Sequence, residues 1–103
     1  MAAELLWSPR AEEDLLDIHA FIALDNPEAA DRIVDKLHSA AALLSQHPRL
    51  CQRRPEIRPS LRLLTESPYI LLYETIPDSD EGPVLRVEIV RVIDGRRDLS
   101  ALL

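Results

Sequence analysis

Hydrophobic positions recur at helical spacing in the first half of the chain and at strand spacing in the second. Ala11, Leu15, Ile18 and Ile22 stand four, three and four residues apart, one stripe of an amphipathic helix flanked by Leu16, His19 and Phe21. Ser8 supplies an N-cap and Pro9 suits the first helical position, where a missing N–H costs nothing. The acids Glu12, Glu13 and Asp14 fall in the first turns, which the helix dipole favours, and read as a solvated helix start. Asn26-Pro27 repeats the start signal, and Ala30, Ile33, Val34, Leu37, Ala41 and Leu44 form the next stripe, ending near Gln46-His47-Pro48. So short a link between two helices makes residues 9 to 46 an antiparallel hairpin with one shared apolar face.

Ahead of the hairpin, Glu4-Leu5-Leu6-Trp7 reads as a strand. Beyond it, three β-rich segments are expected at Leu61 to Thr65, Tyr69 to Ile76 and Val84 to Ile93, separated by Ser67-Pro68 and by Pro77-Asp78-Ser79-Asp80-Glu81-Gly82-Pro83. They form a small antiparallel meander. In the middle segment both alternating sets are largely apolar, which places that strand centrally with cover on both faces. In the last, Leu85, Val87, Ile89, Arg91 and Ile93 make the purer apolar face and should meet the helices, with Arg91 where helix cover ends. The expected class is α+β, in the order β-α-α-β-β-β, with the hairpin packed on one face of a small antiparallel sheet.

Between hairpin and meander, Pro48-Arg49-Leu50-Cys51-Gln52-Arg53-Arg54-Pro55-Glu56-Ile57-Arg58-Pro59 is too rich in proline for regular structure. It reads either as a solvated connection or as an arginine-bearing arm beside the sheet. The chain closes on Asp94-Gly95-Arg96-Arg97-Asp98, a turn that presents two guanidinium groups just past the last strand. The following Leu99-Ser100-Ala101-Leu102-Leu103 is expected to form a last helical turn or to lie over the sheet.

At 103 residues the sequence fits one domain, spanning 1–103, and its 47 % hydrophobic content excludes general disorder. No apolar run approaches the roughly 18 residues of a membrane span, so no direct membrane contact is expected. The N-terminus lacks a secretory pattern and a cytoplasmic protein is expected. The single Cys51 cannot form an internal disulfide and reads as a small half-buried residue. Net charge is −6, but it is unevenly spread. Residues up to Pro48 hold three basic and nine acidic side chains; from Arg49 onward nine arginines balance nine acids. Arginine suits bidentate contacts to carboxylate or phosphate, so a local basic surface can exist on an acidic protein, and direct nucleic-acid binding stays open.

Catalytic motifs are absent. His19, His38 and His47 all lie in or just after the hairpin, away from the arginines, and no paired Cys/His spacing points to a metal. With Gly82 and Gly95 as the only glycines, neither a Walker loop nor GxGxxG can form. No cofactor is expected. Tyr73 reads as a packing residue with its hydroxyl at the edge of the core. The residue types favour binding over catalysis, with Arg53 and Arg54 on the loop and Arg96 and Arg97 in the terminal turn as candidate contacts.

The order of these parts resembles the RelE/ParE toxin superfamily of type II toxin–antitoxin systems, its ParE branch most. The resemblance runs from Trp7-Ser8-Pro9-Arg10-Ala11 with Asp14-Leu15 and Ile18, through Asn26-Pro27-Glu28-Ala29-Ala30, to Pro48, Arg62, Tyr69, Tyr73 and Val92-Ile93-Asp94-Gly95-Arg96-Arg97-Asp98. It implies a small α+β toxin neutralised by a cognate ParD-like antitoxin. ParE-like members with known targets act on DNA gyrase by binding; RelE-like relatives cut messenger RNA on the ribosome with basic side chains. The lysines of such nucleases are missing from the second half, Asp94 replaces the histidine often found ahead of the final Arg-Asp, and Cys51 stands where a glycine is common. A non-catalytic gyrase inhibitor is therefore the first expectation. A RelE-type endoribonuclease and a non-toxic antitoxin-binding module are the alternatives. Arg62, Arg91, Arg96 and Arg97 occupy positions that resemble the family's functional surface, which implies contacts to a target or antitoxin; for Arg97 and Asp98 a structural ion pair competes with that role.

Overall fold

A computed structural model describes residues 2–96. Strand β1 (Glu4–Trp7) leads into helix α1 (Pro9–Ala23) and helix α2 (Pro27–Gln46), followed by β2 (Arg62–Glu66), β3 (Tyr69–Ile76) and β4 (Arg86–Asp94). The helices begin where their caps require. The Ser8 hydroxyl accepts from Ala11 N at 3.0 Å and the Asn26 side chain accepts from Ala29 N at 3.1 Å, each followed by a proline in the first turn. Four strands form one sheet in the order β1-β4-β3-β2. The meander β2-β3-β4 is antiparallel as its turns demand, and β1 pairs in parallel with β4, with Leu5 opposite Val87 and Trp7 opposite Ile89. The sheet is consequently mixed.

The hairpin lies on one face. Ala11, Leu15, Leu37, Ala40, Ala41 and Leu44 pack against Leu71, Tyr73, Val87, Ile89 and Val92. Leu37 and Leu44 are fully buried, each worth about 1.5–3 kcal/mol of transfer free energy. On the other face Leu61, Ile70, Leu72 and Ile93 form a smaller core with Ile57, Leu63 and Val90 packed against it. Strand β3 contributes to both, which is the central, doubly covered position its two apolar faces call for. Residues 47–61 carry no helix and no named strand; Arg53 makes one antiparallel bridge to Arg62.

Strand β4 departs from simple alternation. Tyr73 pairs with Ile89 while Leu72 pairs with Arg91, so Val90 is the extra residue of a β-bulge. The inward set switches there: Val87, Ile89 and Val92 join the helix-side core, and Ile93 turns to the other. The expected face running unbroken from Leu85 to Ile93 is thus corrected, and Leu85 precedes the strand with 65 % exposure. A reason is visible at the sheet edge. Strand β1 ends opposite Ile89, and beyond it the start of α1 takes over the exposed edge of β4: the Ser8 hydroxyl donates to Val90 O at 2.8 Å and Val92 N donates to Asp14 Oδ2 at 2.9 Å. An edge that would otherwise invite strand addition is closed by two side chains.

Candidate functional site

The predicted arginines fall into two groups that the fold keeps apart. Arg91 and Arg96 sit at the end of β4, beside α1. Arg53, Arg54 and Arg62 belong to the 47–61 loop and the start of β2. Arg97 lies outside the described residues, with Asp98 and the tail that follows.

At the β4 end, Asp14 organises the surroundings. Its carboxylate accepts from Arg91 Nε at 2.8 Å and Nη2 at 3.2 Å as well as from Val92 N, and both side chains of the pair are nearly buried. The bidentate geometry and the backbone bond lock α1 to β4. Asp14 is therefore not part of a solvated helix start, as the sequence pattern suggested. It lies on the inward stripe, three residues after Ala11 and four before Ile18, and that spacing was the available signal. Next to it a groove of about 480 Å³ opens between α1 and the strand end, lined by Asp17, Ile18, Phe21, Tyr69, Arg91 and Arg96 among others. Asp94 shapes its rim by accepting from Arg96 N and Nε, both at 2.9 Å, and from Arg96 Nη2 at 2.5 Å. Gly95 permits this turn to lie against the β2–β3 turn. Gly95 N donates to Pro68 O at 2.8 Å, and a Cβ at this position would come within 3.0 Å of Ile70 and 3.1 Å of Pro68 O. Burial pushes the Tyr69 phenol above its ordinary pKa, with the Asp94 carboxylate adding and Arg96 opposing. The groove thus holds paired charges and an un-ionised phenol.

The second group is held mainly by carboxylates and carbonyls. Arg53 donates through Nε to Asp78 at 2.9 Å and through Nη1 to Asp80 at 2.5 Å, both on the loop between β3 and β4. Arg49 grips the same loop by donating to Ser79 O at 2.9 Å and to Gly82 O at 2.8 Å. Gly82 turns that loop with φ +81°, which favours glycine. Arg54 pairs locally with Glu56 at 2.5 Å, and Arg58 reaches Glu74 at 3.4 Å. Arg62 is 4 % exposed and donates through Nη1 to Cys51 O at 2.5 Å; its Nε has no partner among the described residues. Beside it the buried Tyr73 hydroxyl donates to Pro48 O at 3.1 Å and accepts from Cys51 N at 3.3 Å, tying the loop to the sheet. Burial raises the pKa of this phenol well above 10.0, and the neighbouring Cys51 raises it further.

Among the described residues no group of three or more His, Cys, Asp or Glu side chains could hold a metal ion. The histidines stay on the hairpin, where His19 Nε2 meets Asp31 at 2.8 Å and the His38 ring lies 5.3 Å from that of Trp7. Between the helices a second groove of about 500 Å³ is lined by Leu15, Leu16, Val34, His19, His38 and Glu12. Helix α1 accordingly runs between two grooves, a feature that periodicity could not show because it depends on where the helix meets the sheet edge. No described helix is long and apolar enough to cross a membrane.

Comparison with known proteins agrees with this architecture. Toxin RelE3 of Caulobacter vibrioides is 35 % identical over 75 residues, 69 % of this chain and 78 % of its own length. Toxin ParE3 of the same organism is 32 % identical over 76 residues, 74 % of this chain and 69 % of its own. A structure described as the chromosomal ParDE TA system from P. aeruginosa superposes with a TM-score of 0.70 at 25 % identity, covering 90 % of this chain and 96 % of that one. Residues 5–99 match the family described as the ParE toxin of type II toxin–antitoxin system, parDE. The chain belongs to the ParE toxin family.

Proposed function

We propose that this ParE-family toxin inhibits DNA gyrase by binding alone and is neutralised by a cognate ParD-like antitoxin. The observation that carries the reading is the state of the sheet's arginines. Arg53, Arg91 and Arg96 are each committed to carboxylates of the same chain and Arg62 to a carbonyl, while the phenols of Tyr69 and Tyr73 are shifted away from neutrality. RNA cleavage calls for a general acid and base that titrate near the working pH. The β4 end instead offers charge pairs and a groove, which suits a protein that binds a surface.

For the antitoxin, the exposed apolar side chains on α1 and at its C-terminal end supply the contact. Leu16, Phe21 and Leu24 stand 70 %, 74 % and 83 % exposed, with a groove on either side of the helix. Leu16 borders the groove between the helices and Phe21 the groove beside β4, so this contact runs across both sides of α1. Inducing the chain alone and following pulse incorporation of DNA, RNA and protein precursors tests the target. DNA synthesis falling first supports gyrase, and co-expression of the antitoxin restores it; protein synthesis falling first, with cleaved transcripts, replaces the reading with a ribosome-dependent nuclease.

A further inference from the structure

The groove between α1 and the end of β4 holds two polar groups without partners. Its three arginines each meet a carboxylate: Arg91 holds Asp14 through two nitrogens, Arg96 holds Asp94, and Arg10 donates to Glu13 at 3.1 Å. Asp17 is the lining carboxylate left over; it is exposed, and no donor among the described residues reaches it. On the sheet side Tyr69 is 8 % exposed, and among the described residues its hydroxyl has no hydrogen-bond partner. A phenol buried to that degree ordinarily finds one. Phe21 stands one helical turn beyond Asp17, so ring and carboxylate are neighbours on one face of α1, with Ile18 beside them.

We propose that this groove receives an arginine of the antitoxin, its guanidinium between Asp17 and the Tyr69 hydroxyl and its stem along Ile18 and Phe21. The inference rests on the reading of α1 as the antitoxin contact and deepens it by naming the partner's chemistry. A guanidinium supplies the positive charge that Asp17 lacks, N–H donors that reach both a carboxylate and a phenol oxygen, and a flat face that stacks on an aromatic ring. An acidic or purely apolar side chain would leave the Asp17 carboxylate unpaired in a contact that excludes water, at a cost in free energy. The surrounding charge points the same way, because the chain up to Pro48 holds three basic and nine acidic side chains and so draws a basic segment. The arginine sets the partner's identity and register while the apolar contacts of Leu16 and Phe21 hold it, so the complex still withstands salt. An antitoxin seated there also covers the β4 end, the surface that the gyrase reading uses.

The test titrates the full chain with the cognate antitoxin by calorimetry, each arginine of the antitoxin being replaced in turn by glutamine. One replacement is expected to weaken binding at least about fivefold, and the same replacement is expected to cost nothing further in complexes with Asp17→Asn. Tyr69→Phe removes a hydroxyl that has no partner in the chain; it is expected to keep the urea midpoint of the natural chain and to weaken the complex. A second probe, N-acetyl-arginine amide, is expected to shift the amide NMR signals of Asp17, Phe21 and Tyr69 in the free chain, at concentrations where the uncharged citrulline analogue does not. An antitoxin that does not bind at all overturns the antitoxin reading itself. An antitoxin that binds with no arginine coupled to Asp17, binding that Tyr69→Phe leaves unchanged, or an arginine derivative that acts no differently from its citrulline analogue overturns this inference and leaves that reading standing.

Discussion

Asp14 illustrates how one side chain can join sequence-distant elements. It satisfies two donors of Arg91 and the backbone N–H of Val92, 78 residues away, in a nearly buried position. Removing it takes away the carboxylate shared by Arg91 and the Val92 N–H, and breaking such a nearly buried pair costs about 3–5 kcal/mol. Asp14→Ala is therefore expected to lower the urea midpoint sharply, whereas Glu13→Ala, at an exposed pair with Arg10, should shift stability by less than about 1 kcal/mol. Tyr73 gives a pH signature. Its folded-state pKa is raised above the ordinary 10.0 by burial, so the folded chain holds the phenolic proton more tightly than the unfolded one. That contribution is complete below pH 10 and is lost as pH rises through the higher folded value. Urea midpoints measured from pH 8 upward should fall above pH 10 in the natural chain and fall less steeply in Tyr73→Phe, where only the smaller Tyr69 shift remains.

At the level of elements, the caps and the sheet edge are connected through Ser8. Its hydroxyl both accepts from Ala11 N and donates to Val90 O, whereas Asn26 only caps its helix. Asn26→Ala should cost about 1 kcal/mol, and Ser8→Ala should cost more because a carbonyl at the β4 edge loses its partner. Comparable losses in the two variants would mean that the Ser8 bond to Val90 adds nothing. The helices were legible because apolar spacing, Ser-Pro and Asn-Pro all pointed to the same boundaries. Strand existence was legible from alternation and turns. The bulge at Val90 was not, since Val90 and Val92 are the same residue type and only the pairing with Leu72 and Tyr73 distinguishes them. The parallel entry of β1 beside β4 likewise depends on tertiary contact. For the candidate site, sequence singled out the arginines but not their partners. Asp14 reads with the solvated helix start although its place on the apolar stripe marks it, whereas Asp78 and Asp80 read only as turn residues, because nothing local marks a guanidinium 25 to 27 residues away.

For the molecule as a whole, the proposed reading is of an acidic toxin whose arginines are paired within the chain and whose antitoxin is held largely through apolar contact. Net charge is −6, and exposed Leu16 and Phe21 lie on the helix flanked by both grooves, with exposed Leu24 just past its end. Leu16→Asp and Phe21→Asp, both at exposed positions, should leave folding intact and weaken antitoxin binding more than tenfold, about 1.4 kcal/mol each. The complex should also persist at about 0.5 M salt, where surface charge attraction is strongly screened; dissociation there would indicate an electrostatic interface. The central claim, inhibition of gyrase without chemistry by the toxin itself, is tested most directly with purified gyrase and supercoilable plasmid. Addition of the toxin is expected to stop supercoiling and to accumulate cleaved DNA, with the antitoxin reversing both effects. Undisturbed supercoiling at saturating toxin, alongside messenger RNA cut on ribosomes by the same preparation, would contradict it.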